Sequence, residues 1–423
     1  SKNPRMASPT NPNMPKFIIP LVIFGRLYAT TLSRKSRPPK TKGIQPKTKM
    51  IKELDVIYNT RWRGSIFIVD DNFIGNKKEV RKLLPALKSW QEQHDYPFPL
   101  FTEAGIELGA RSHSDILEGM VDAGFDQVFV GIESPDAEVL EKMNKKQNSK
   151  LYEKIRNIQK AGLEVMGGFI IGSDGEKKEI FDNLFSFIQD TGIVIPMVGL
   201  LTVPKDTRLY NRLALEGRLR GDSSGNNTHQ LEFNFKPELD EDFLIKGYVN
   251  LLERLFESKN FYERYNTLRK NRGDYHPVSQ VNKKGIKAFG RIMYQNLIKK
   301  PDFHFLKCAL KSAIHPREFP NMINYAVKLH HFKTITKATA DINRYREITQ
   351  SIYEKFQNKV GKLRKKFSGD VEMRLQRLQY LSHDMLEKAT KKYYGIHDDF
   401  KKDAKQILDN LHQRIDNYSA GHK

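Results

Sequence analysis

The stretch SIFIVDDNFIGN, residues 65–76, sets the fold expected for this chain. Its apolar residues 66–69 end abruptly at two neighbouring carboxylates, Asp70 and Asp71, and Asn72 follows them. An uninterrupted, largely β-branched apolar run predicts a strand that is buried on both faces, as in a parallel sheet covered by helices. Two adjacent acids at the end of such a strand are costly unless a ligand or cation requires them there.

Strand-like runs alternate with amphipathic helical patterns from residue 51 to about residue 218. This alternation predicts an α/β fold with a parallel sheet, either doubly wound or closed as a β/α barrel. The further strand-like runs are PFPLFTEAGIE (97–107), DQVFVGIES (126–134), LEVMGGFIIG (163–172) and IVIPMVGLLTV (193–203).

The alternation of strand-like and helical patterns stops after GDSSGNN (221–227), and no convincing strand-like run follows LEFNF (231–235). We therefore predict a β/α domain over 50–235 and an all-helical domain over 236–423. The basic, proline-rich residues 1–49 are predicted to be a disordered or damaged N-terminal segment. Within that segment, KFIIPLVIF (16–24) is predicted to be a buried strand, since it is far shorter than the ~20 residues of a membrane span.

The chain carries a formal charge of +22 over 423 residues, of which 39% are hydrophobic. This excess predicts an anionic partner such as nucleic acid or anionic lipid, or else a solvated, lysine-rich helical surface. A single cysteine, Cys308, excludes a disulfide within the chain and is predicted to be a small buried apolar residue. Low cysteine usage fits a cytoplasmic location, and no apolar run reaches the length of a membrane span.

Polar residues and glycines gather where the predicted strands end. In parallel α/β folds ligands bind at that edge of the sheet, so these residues form the candidate site. In chain order they are Asp70, Asp71 and Asn72; Thr102 and Glu103; Gly131, Glu133 and Ser134; Gly168, Gly172 and Glu176; and Thr202 and Lys205.

Each acid also has an ordinary structural explanation. Asp71 can cap the next helix, Glu133 can pair with a lysine, and Glu176 can be a first-turn acid favoured by the helix dipole. Ser134 reads as the N-cap of the helix that follows it, with Pro135 at the first helical position. Carboxylates on several successive strand ends favour a shared site, because such groups repel unless a cation or hydrogen-bond donor separates them.

Several of these segments resemble motifs of the radical S-adenosylmethionine (radical SAM) superfamily. GFIIGSDGE (168–176) fits the pattern G-x-I-x-G-x-x-x-E of the fifth-strand motif, and FVGIES (129–134) is similar to the fourth-strand motif. Other segments resemble the cobalamin-binding-type subgroup and, in some members, its helical C-terminal domain. They are FIVDDNFIGN (67–76), FTEAG (101–105), LLTVPKDTRLYNRLALEGRL (200–219) and KGYVNLLERLFESKNFYERY (246–265).

The resemblance implies a partial (β/α)6 TIM-type barrel that binds S-adenosylmethionine at the strand ends. Asp70 and Asp71 would meet the amino-acid end of this ligand, and Glu133 or Ser134 its ribose or methionine moiety. Asn72 and Glu103 would also belong to the cofactor-binding residues. The backbone from Gly168 to Gly172 would lie against the adenine, with Glu176 just beyond. The resemblance further implies a [4Fe–4S] cluster and a cobalamin-binding domain upstream.

One departure from the family matters for its chemistry. The cluster motif C-x-x-x-C-x-x-C belongs before IFGR (23–26), but residues 11–22 read NPNMPKFIIPLV and contain no cysteine. Thiolates are the usual ligands of such clusters. The chain as written is therefore expected to hold neither cluster nor cobalamin, to be N-terminally truncated or degenerate, and to be inactive or incomplete. Its catalytic residues and its small-molecule or peptide substrate stay undetermined from sequence.

Two other functions compete with this one. The chain can be a non-catalytic protein whose basic helical domain binds RNA or an anionic surface, and the basic, aromatic stretch KKYYGIHDDFKK (391–402) hints at this. It can also be an ordinary β/α-barrel hydrolase or aldolase that uses Glu103 and Glu133, although no phosphate loop or nucleophile elbow supports that reading.

Overall fold

The computed structural model describes residues 47–142, 150–223, 231–272, 290–314, 318–366, 370–396 and 398–421. The predicted strand at 16–24 and the predicted disorder of the first residues lie outside these ranges. The predictions that can be compared with the structure are therefore those from residue 47 onward.

Five parallel strands form one sheet, in the spatial order of the sequence. This confirms the α/β class, and each of the five apolar runs predicted from residue 65 onward supplies one strand. The strands are β1 (Ile66–Ile68), β2 (Leu100–Glu103), β3 (Phe125–Glu133), β4 (Glu164–Ile171) and β5 (Ile195–Leu200).

Helices connect these strands and then continue alone. In the first half they are α1 (Lys47–Asn59), α2 (Lys77–Gln93), α3 (Ser114–Asp122), α4 (Ala137–Lys142), α5 (Leu151–Ala161), α6 (Ile180–Thr191) and α7 (Arg208–Leu215). In the second half they are α8 (Glu241–Leu255), α9 (Ser258–Arg272), α10 (Phe303–Ala313), α11 (Phe319–Lys366), α12 (Val371–Tyr393) and α13 (Lys401–Ala420). Short 3-10 turns lie at Ile106–Gly109, Arg111–His113 and Asp398–Phe400, and a π-helical turn spans Gln295–Lys299.

The two faces of the sheet differ in burial. Along β3, Val128, Val130 and Ile132 are fully buried, whereas the alternate residues are half-buried. The buried face packs against the helices of the first half, for example where the ring of Phe169 meets Phe187 of α6. Because side chains alternate along a strand, the other face carries the odd-numbered residues of β3. We call this second face the inner face.

Helix α11 joins the sheet region to the C-terminal helices. Its 48 residues span about 72 Å at 1.5 Å per residue. Its first half contributes Met322 and Phe332 to the hydrophobic core that also contains the sheet. Its second half packs with α12 and α13 around a separate core. The main core thus runs without a break past residue 235, and the predicted domain boundary at that residue stays a prediction.

A buried ion pair also fastens α11 to the sheet. Nζ of Lys328 lies 2.9 Å from Oε2 of Glu164 at the start of β4, and both side chains are buried. Removing one partner of such a pair leaves an uncompensated charge, so the pair fixes how α11 crosses the sheet. In the part of the chain that the structure describes, none of the helices is both long enough and apolar enough to cross a membrane.

Candidate functional site at the strand ends

The loop after β1 folds over the end of β2. The amide of Phe73 donates to the carbonyl of Glu103 at 2.9 Å, and Oδ1 of Asn72 accepts the amide of Gly105 at 3.0 Å. Asp70 accepts the amide of Asn72 at 2.9 Å, which closes a tight turn. Asn72 therefore ties two strand ends together, and this brings the first acids next to Glu103.

Three carboxylates share this corner of the sheet. Burial raises the pKa of Glu103, and the nearby charges of Asp71 and Asp70 raise it further. Asp71 is exposed and does not cap the next helix, since Asn76 takes that place and accepts the amide of Glu79. A cluster of carboxylates is suited to a cationic partner such as an ammonium group.

Glu133 ends β3 in an unusual backbone conformation. Its φ of 70° lies in the left-handed region that residues other than glycine seldom adopt. Its Oε1 lies 3.0 Å from the point that a Cβ on Gly131 would occupy, so the carboxylate folds back over the inner face. Backbone conformations of this kind are held by their surroundings and cluster at functional sites.

The residues after Glu133 are arranged differently from the prediction. Helix α4 begins at Ala137, and Asp136 accepts the amide of Glu138 at 2.8 Å. The predicted N-cap at Ser134 is therefore wrong. Ser134 is almost completely buried, and its hydroxyl accepts the amide of Asp136 at 3.2 Å. Aspartate caps a helix as well as serine does, so the residue types alone did not separate the two.

Glycines occupy the inner face on three adjacent strands. Gly131 of β3 is the register partner of Gly168 of β4, and Gly199 of β5 is the partner of Ile170 two residues further along β4. A Cβ added to Gly199 would meet nothing within 4 Å, whereas one on Gly168 would lie 2.6 Å from the ring of Phe129. The inner face therefore lacks side chains at these three glycines, with open space at Gly199 and the ring of Phe129 over Gly168. Sequence reasoning missed Gly199; its position at the middle of an apolar run was the available signal.

The turn after β4 is held by its own carboxylate. Glu176 accepts the amide of Gly172 at 2.9 Å and that of Ser173 at 3.2 Å, and it is almost fully buried. Burial raises the pKa of Glu176 to about 7, although the two hydrogen bonds lower it. The negative charges of Asp136 and Asp174 raise this pKa further. The interaction with Asp136 shows that the ends of β3 and β4 lie side by side.

Gly172 faces away from open space. Its φ is 101°, and a Cβ there would lie 2.3 Å from the ring of Phe233. The structure thus gives Gly172 and Glu176 a part in shaping the turn, while their predicted contact with a cofactor stays a prediction. Among the predicted residues, Asp70 and Asp71 lie near Glu103, and Glu133 lies over Gly131, the register partner of Gly168. That these residues form one site stays a prediction.

An ion-pair cluster anchors the same turn to the chain beyond β5. The carboxylate of Asp174 accepts hydrogen bonds from both Nη atoms of Arg218, at 3.1 and 2.7 Å, and from Nη2 of Arg212 at 2.7 Å. Burial on its own would raise the pKa of Asp174, but the two arginines outweigh it and hold that pKa below its usual value. After the last strand, Lys205 pairs with Asp222 at 3.1 Å rather than with the acids of the site.

Comparison with known families identifies the fold that carries this site. Residues 34–188 match the model of the radical SAM superfamily. The chain belongs to this superfamily. Residues 207–344 match a second model, described as a domain of unknown function, DUF4070. The second match begins just before α7 and ends within α11, so it covers the helices that pack on the radical SAM sheet.

Curated relatives of this radical SAM chain are methyltransferases by name. It is 40% identical over 228 residues to an uncharacterized methyltransferase of Synechocystis sp., covering 52% of this chain and 42% of that protein. It is 32% identical over 317 residues to the hopanoid C-2 methylase of Rhodopseudomonas palustris, covering 69% and 57%. The chain thus spans about half the length of these two relatives. These matches favour the radical SAM interpretation over the two competing functions.

A solved structure is also similar to this radical SAM chain. It is the radical S-adenosylmethionine methyltransferase TsrM of Kitasatospora setae, with cobalamin and a [4Fe–4S] cluster bound. The match covers 68% of this chain and 55% of that one, with 13% identity and a TM-score of 0.36.

Cys308, the only cysteine of this radical SAM chain, is buried as predicted. It lies on α10, remote in sequence from the strand ends, and burial raises the pKa of its thiol to about 11. Within the described ranges, no group of three or more histidine, cysteine or acidic side chains has the arrangement of a metal site.

The basic, aromatic stretch at 391–402 forms contacts within the protein through Lys401. Nζ of Lys401 donates to the carbonyls of Tyr393 and Tyr394, at 2.9 and 3.0 Å, and lies 4.7 Å from the ring centroid of Tyr393. These contacts join α12 to α13 and leave this lysine occupied. Binding of RNA or an anionic surface by this stretch stays a prediction.

The C-terminal helices enclose a cavity of about 800 Å³, away from the strand ends. It lies between α8, α11 and α13, and its lining includes Glu232 and Asp403. Burial raises the pKa of both carboxyls, and the charge of Asp403 raises that of Glu232 further. None of the residues predicted for the site lines this cavity.

Proposed function

We propose that the inner face at the strand ends binds S-adenosylmethionine, and that this chain supplies the ligand-binding core of a methyl-transferring radical SAM protein. The observation that carries the proposal is the placement of the glycines at 131, 168 and 199 on one face of three adjacent strands, with the carboxylate of Glu133 over Gly131. The ring of Phe129 fills the space at Gly168, whereas the space at Gly199 is open. A ligand that lies against the backbone there explains why a glycine that weakens the strand stands at residue 199.

The bare face suits the nucleoside part of this ligand. A flat purine needs a surface without side chains, and the open space at Gly199 supplies one next to the aromatic edge of Phe129. Glu133 folds over Gly131 on the same face, where its carboxylate oxygens can accept hydrogen bonds from ribose hydroxyls. Adjacent strands lie ~4.8 Å apart, so three of them span the width of a nucleoside.

The carboxylate corner suits the amino-acid part. Asp70, Asp71 and Glu103 share one end of the sheet, and their mutual repulsion falls when an ammonium group lies between them. These groups bind and orient the ligand; no proton transfer is assigned to them. When bound, S-adenosylmethionine supplies a sulfonium-linked methyl group, which agrees with the methyltransferase names of the relatives.

We further propose that this chain, as written, does not assemble the family's [4Fe–4S] cluster from cysteine ligands. A cluster held by three thiolates needs three cysteines, and the sequence has one. The residues present do not fit that group, so no reaction step is assigned to it here. The same holds for cobalamin, which is bound in TsrM and expected for the subgroup, and to which no residue of this chain is assigned.

Equilibrium titration of S-adenosylmethionine into the purified chain tests the proposal. Glu133→Ala and Asp71→Ala should each weaken binding by about tenfold or more, since a hydrogen bond to a charged group contributes about 1.5–3 kcal/mol. Glu138→Ala is the matched control, because that exposed acid on α4 pairs with Lys177 outside the inner face. Equal affinities for wild type, both variants and the control would overturn the assignment.

A further inference from the structure

Helix α10 presents a row of large apolar side chains to solvent. Phe303, Leu306, Leu310 and Ile314 are 70%, 40%, 61% and 77% exposed. Their spacing of three, four and four residues places them on one side of the helix. We call these four residues the α10 stripe.

Packing within the protein does not explain the stripe. The opposite side of α10 already supplies the buried residues Phe305, Cys308 and Ala309 to the main core. An amphipathic surface helix ordinarily turns polar residues outward. Contiguous exposed apolar surface of this kind marks a site where another molecule binds.

The apolar surface extends into the segment before α10. Tyr294, Leu297 and Ile298 are also exposed, although Ile292 close by is buried. These residues lie at the π-helical turn Gln295–Lys299, immediately before the loop that leads into α10. Tyr294 and Phe303 provide aromatic rings at the ends of this surface, a residue type that favours the boundary between water and lipid.

Lysines flank the stripe. Lys299, Lys300, Lys307 and Lys311 are all exposed, and none of them forms an ion pair with another described residue. Among residues 290–314 there are five basic residues and one acidic residue, Asp302. That aspartate is already engaged, since it caps α10 and lies 3.8 Å from Lys333.

We propose that the α10 stripe and its lysines dock on an anionic lipid bilayer. Helices that lie in a membrane interface combine a row of aromatic and aliphatic residues with flanking lysines, and bind by burying the former and attracting anionic headgroups with the latter. A second copy of the chain fits the surface less well. It would bring like-charged lysines together, in a protein whose net charge is already +22.

Vesicle co-sedimentation of the full chain tests this. Phosphatidylcholine vesicles that contain phosphatidylglycerol should bind the protein, vesicles of phosphatidylcholine alone should bind it much less, and added salt should weaken the binding. Leu306→Ser/Leu310→Ser should reduce binding by about tenfold or more, because two buried leucines leave the interface. Lys307→Glu/Lys311→Glu should abolish the preference for the anionic vesicles.

The matched control is Leu215→Ser/Tyr380→Ser, which changes two apolar residues on α7 and α12 that are 91% and 70% exposed. This control should bind as wild type does, and circular dichroism should show all variants folded. Two outcomes would overturn the proposal. One is unchanged vesicle binding by Leu306→Ser/Leu310→Ser. The other is a wild-type dimer in sedimentation equilibrium that this variant dissociates, without vesicle binding by either protein. Neither outcome bears on S-adenosylmethionine binding, so the two proposals fail separately.

Discussion

Gly131 of β3 and Gly168 of β4 are register partners on adjacent parallel strands, so neither strand places a side chain on the inner face at this register. The space beside Gly168 is used by the protein itself, since the ring of Phe129 comes within 2.6 Å of where a Cβ would stand. The space beside Gly199 is open. The two glycines are therefore expected to respond differently to the same substitution.

Gly168→Ala should destabilise the protein by about 1–3 kcal/mol, because the added methyl forces Phe129 out of its position. Gly199→Ala should change the free energy of unfolding by less than about 0.5 kcal/mol, because the methyl meets no neighbour. Urea unfolding followed by circular dichroism measures both values. Equal destabilisation by the two substitutions would show that the inner face is packed differently.

Glu176 should make stability depend on pH in a direction set by its raised pKa. The carboxyl of Glu176 stays protonated in the folded protein up to about pH 7, whereas a solvent-exposed glutamate carboxyl loses its proton near pH 4.5. A raised pKa stabilises the folded state at low pH, and that stability is lost as the pH rises through the folded value. Wild type should therefore lose about 1–3 kcal/mol relative to Glu176→Gln between pH 5 and pH 8, given about 1.4 kcal/mol per pKa unit.

Urea unfolding of both proteins at the two pH values measures this difference. Other groups with raised pKa values, such as Asp126, are present in both proteins and cancel from the comparison. A pH-independent difference between wild type and Glu176→Gln would contradict a buried, protonated Glu176.

The arginines on Asp174 should not be equivalent. Arg218 is 17% exposed and binds the carboxylate through both Nη atoms, whereas Arg212 is 50% exposed and binds through one. Arg218→Ala should cost about 3 kcal/mol, since it uncovers a largely buried charge, and Arg212→Ala less than about 1 kcal/mol. Thermal unfolding of the two variants checks the order, and the reverse order would contradict the assigned anchor of the β4 turn.

Cys308 should be inert in the folded protein. Its thiol is buried and its pKa is raised to about 11, so little thiolate is available at neutral pH. Ellman's reagent should modify it only after unfolding in guanidinium.

Anaerobic reconstitution with iron and sulfide should give far less than one [4Fe–4S] cluster per chain, and Cys308→Ala should not change that yield. A stoichiometric cluster signal from the wild-type chain would contradict the proposal that its residues do not fit the [4Fe–4S] cluster. It would also contradict the expectation that the chain is inactive.

The strand pattern was predictable because burial on both faces leaves a continuous apolar run. Each of the five runs from residue 65 onward forms a strand, and the parallel order follows from the helices between them. The strand ends were predictable for the same reason, and so was the gathering of Asp70, Asp71 and Glu103. What these acids bind stays a prediction.

The parts that sequence could not supply depend on how loops fold back. The turn after β4 folds so that Glu176 binds its own amides, which no spacing rule reveals. Asp136, and not the predicted Ser134, caps α4, because the chain continues for three residues beyond the end of β3 before it becomes helical. Gly199 was missed because one glycine in an apolar run is unremarkable until the register pairs it with Ile170, two residues beyond Gly168 on the same face. The predicted boundary at residue 235 and the predicted cytoplasmic location stay predictions.

The central claim is that S-adenosylmethionine lies on the inner face, and isothermal titration of wild type beside Gly199→Leu tests it most directly. A Cβ at residue 199 meets no atom within 4 Å, and thermal unfolding of the variant checks that it is folded. The account predicts saturable binding of one ligand per chain to wild type and no detectable binding to Gly199→Leu. Binding of equal affinity to both proteins, or no binding to wild type, would contradict it.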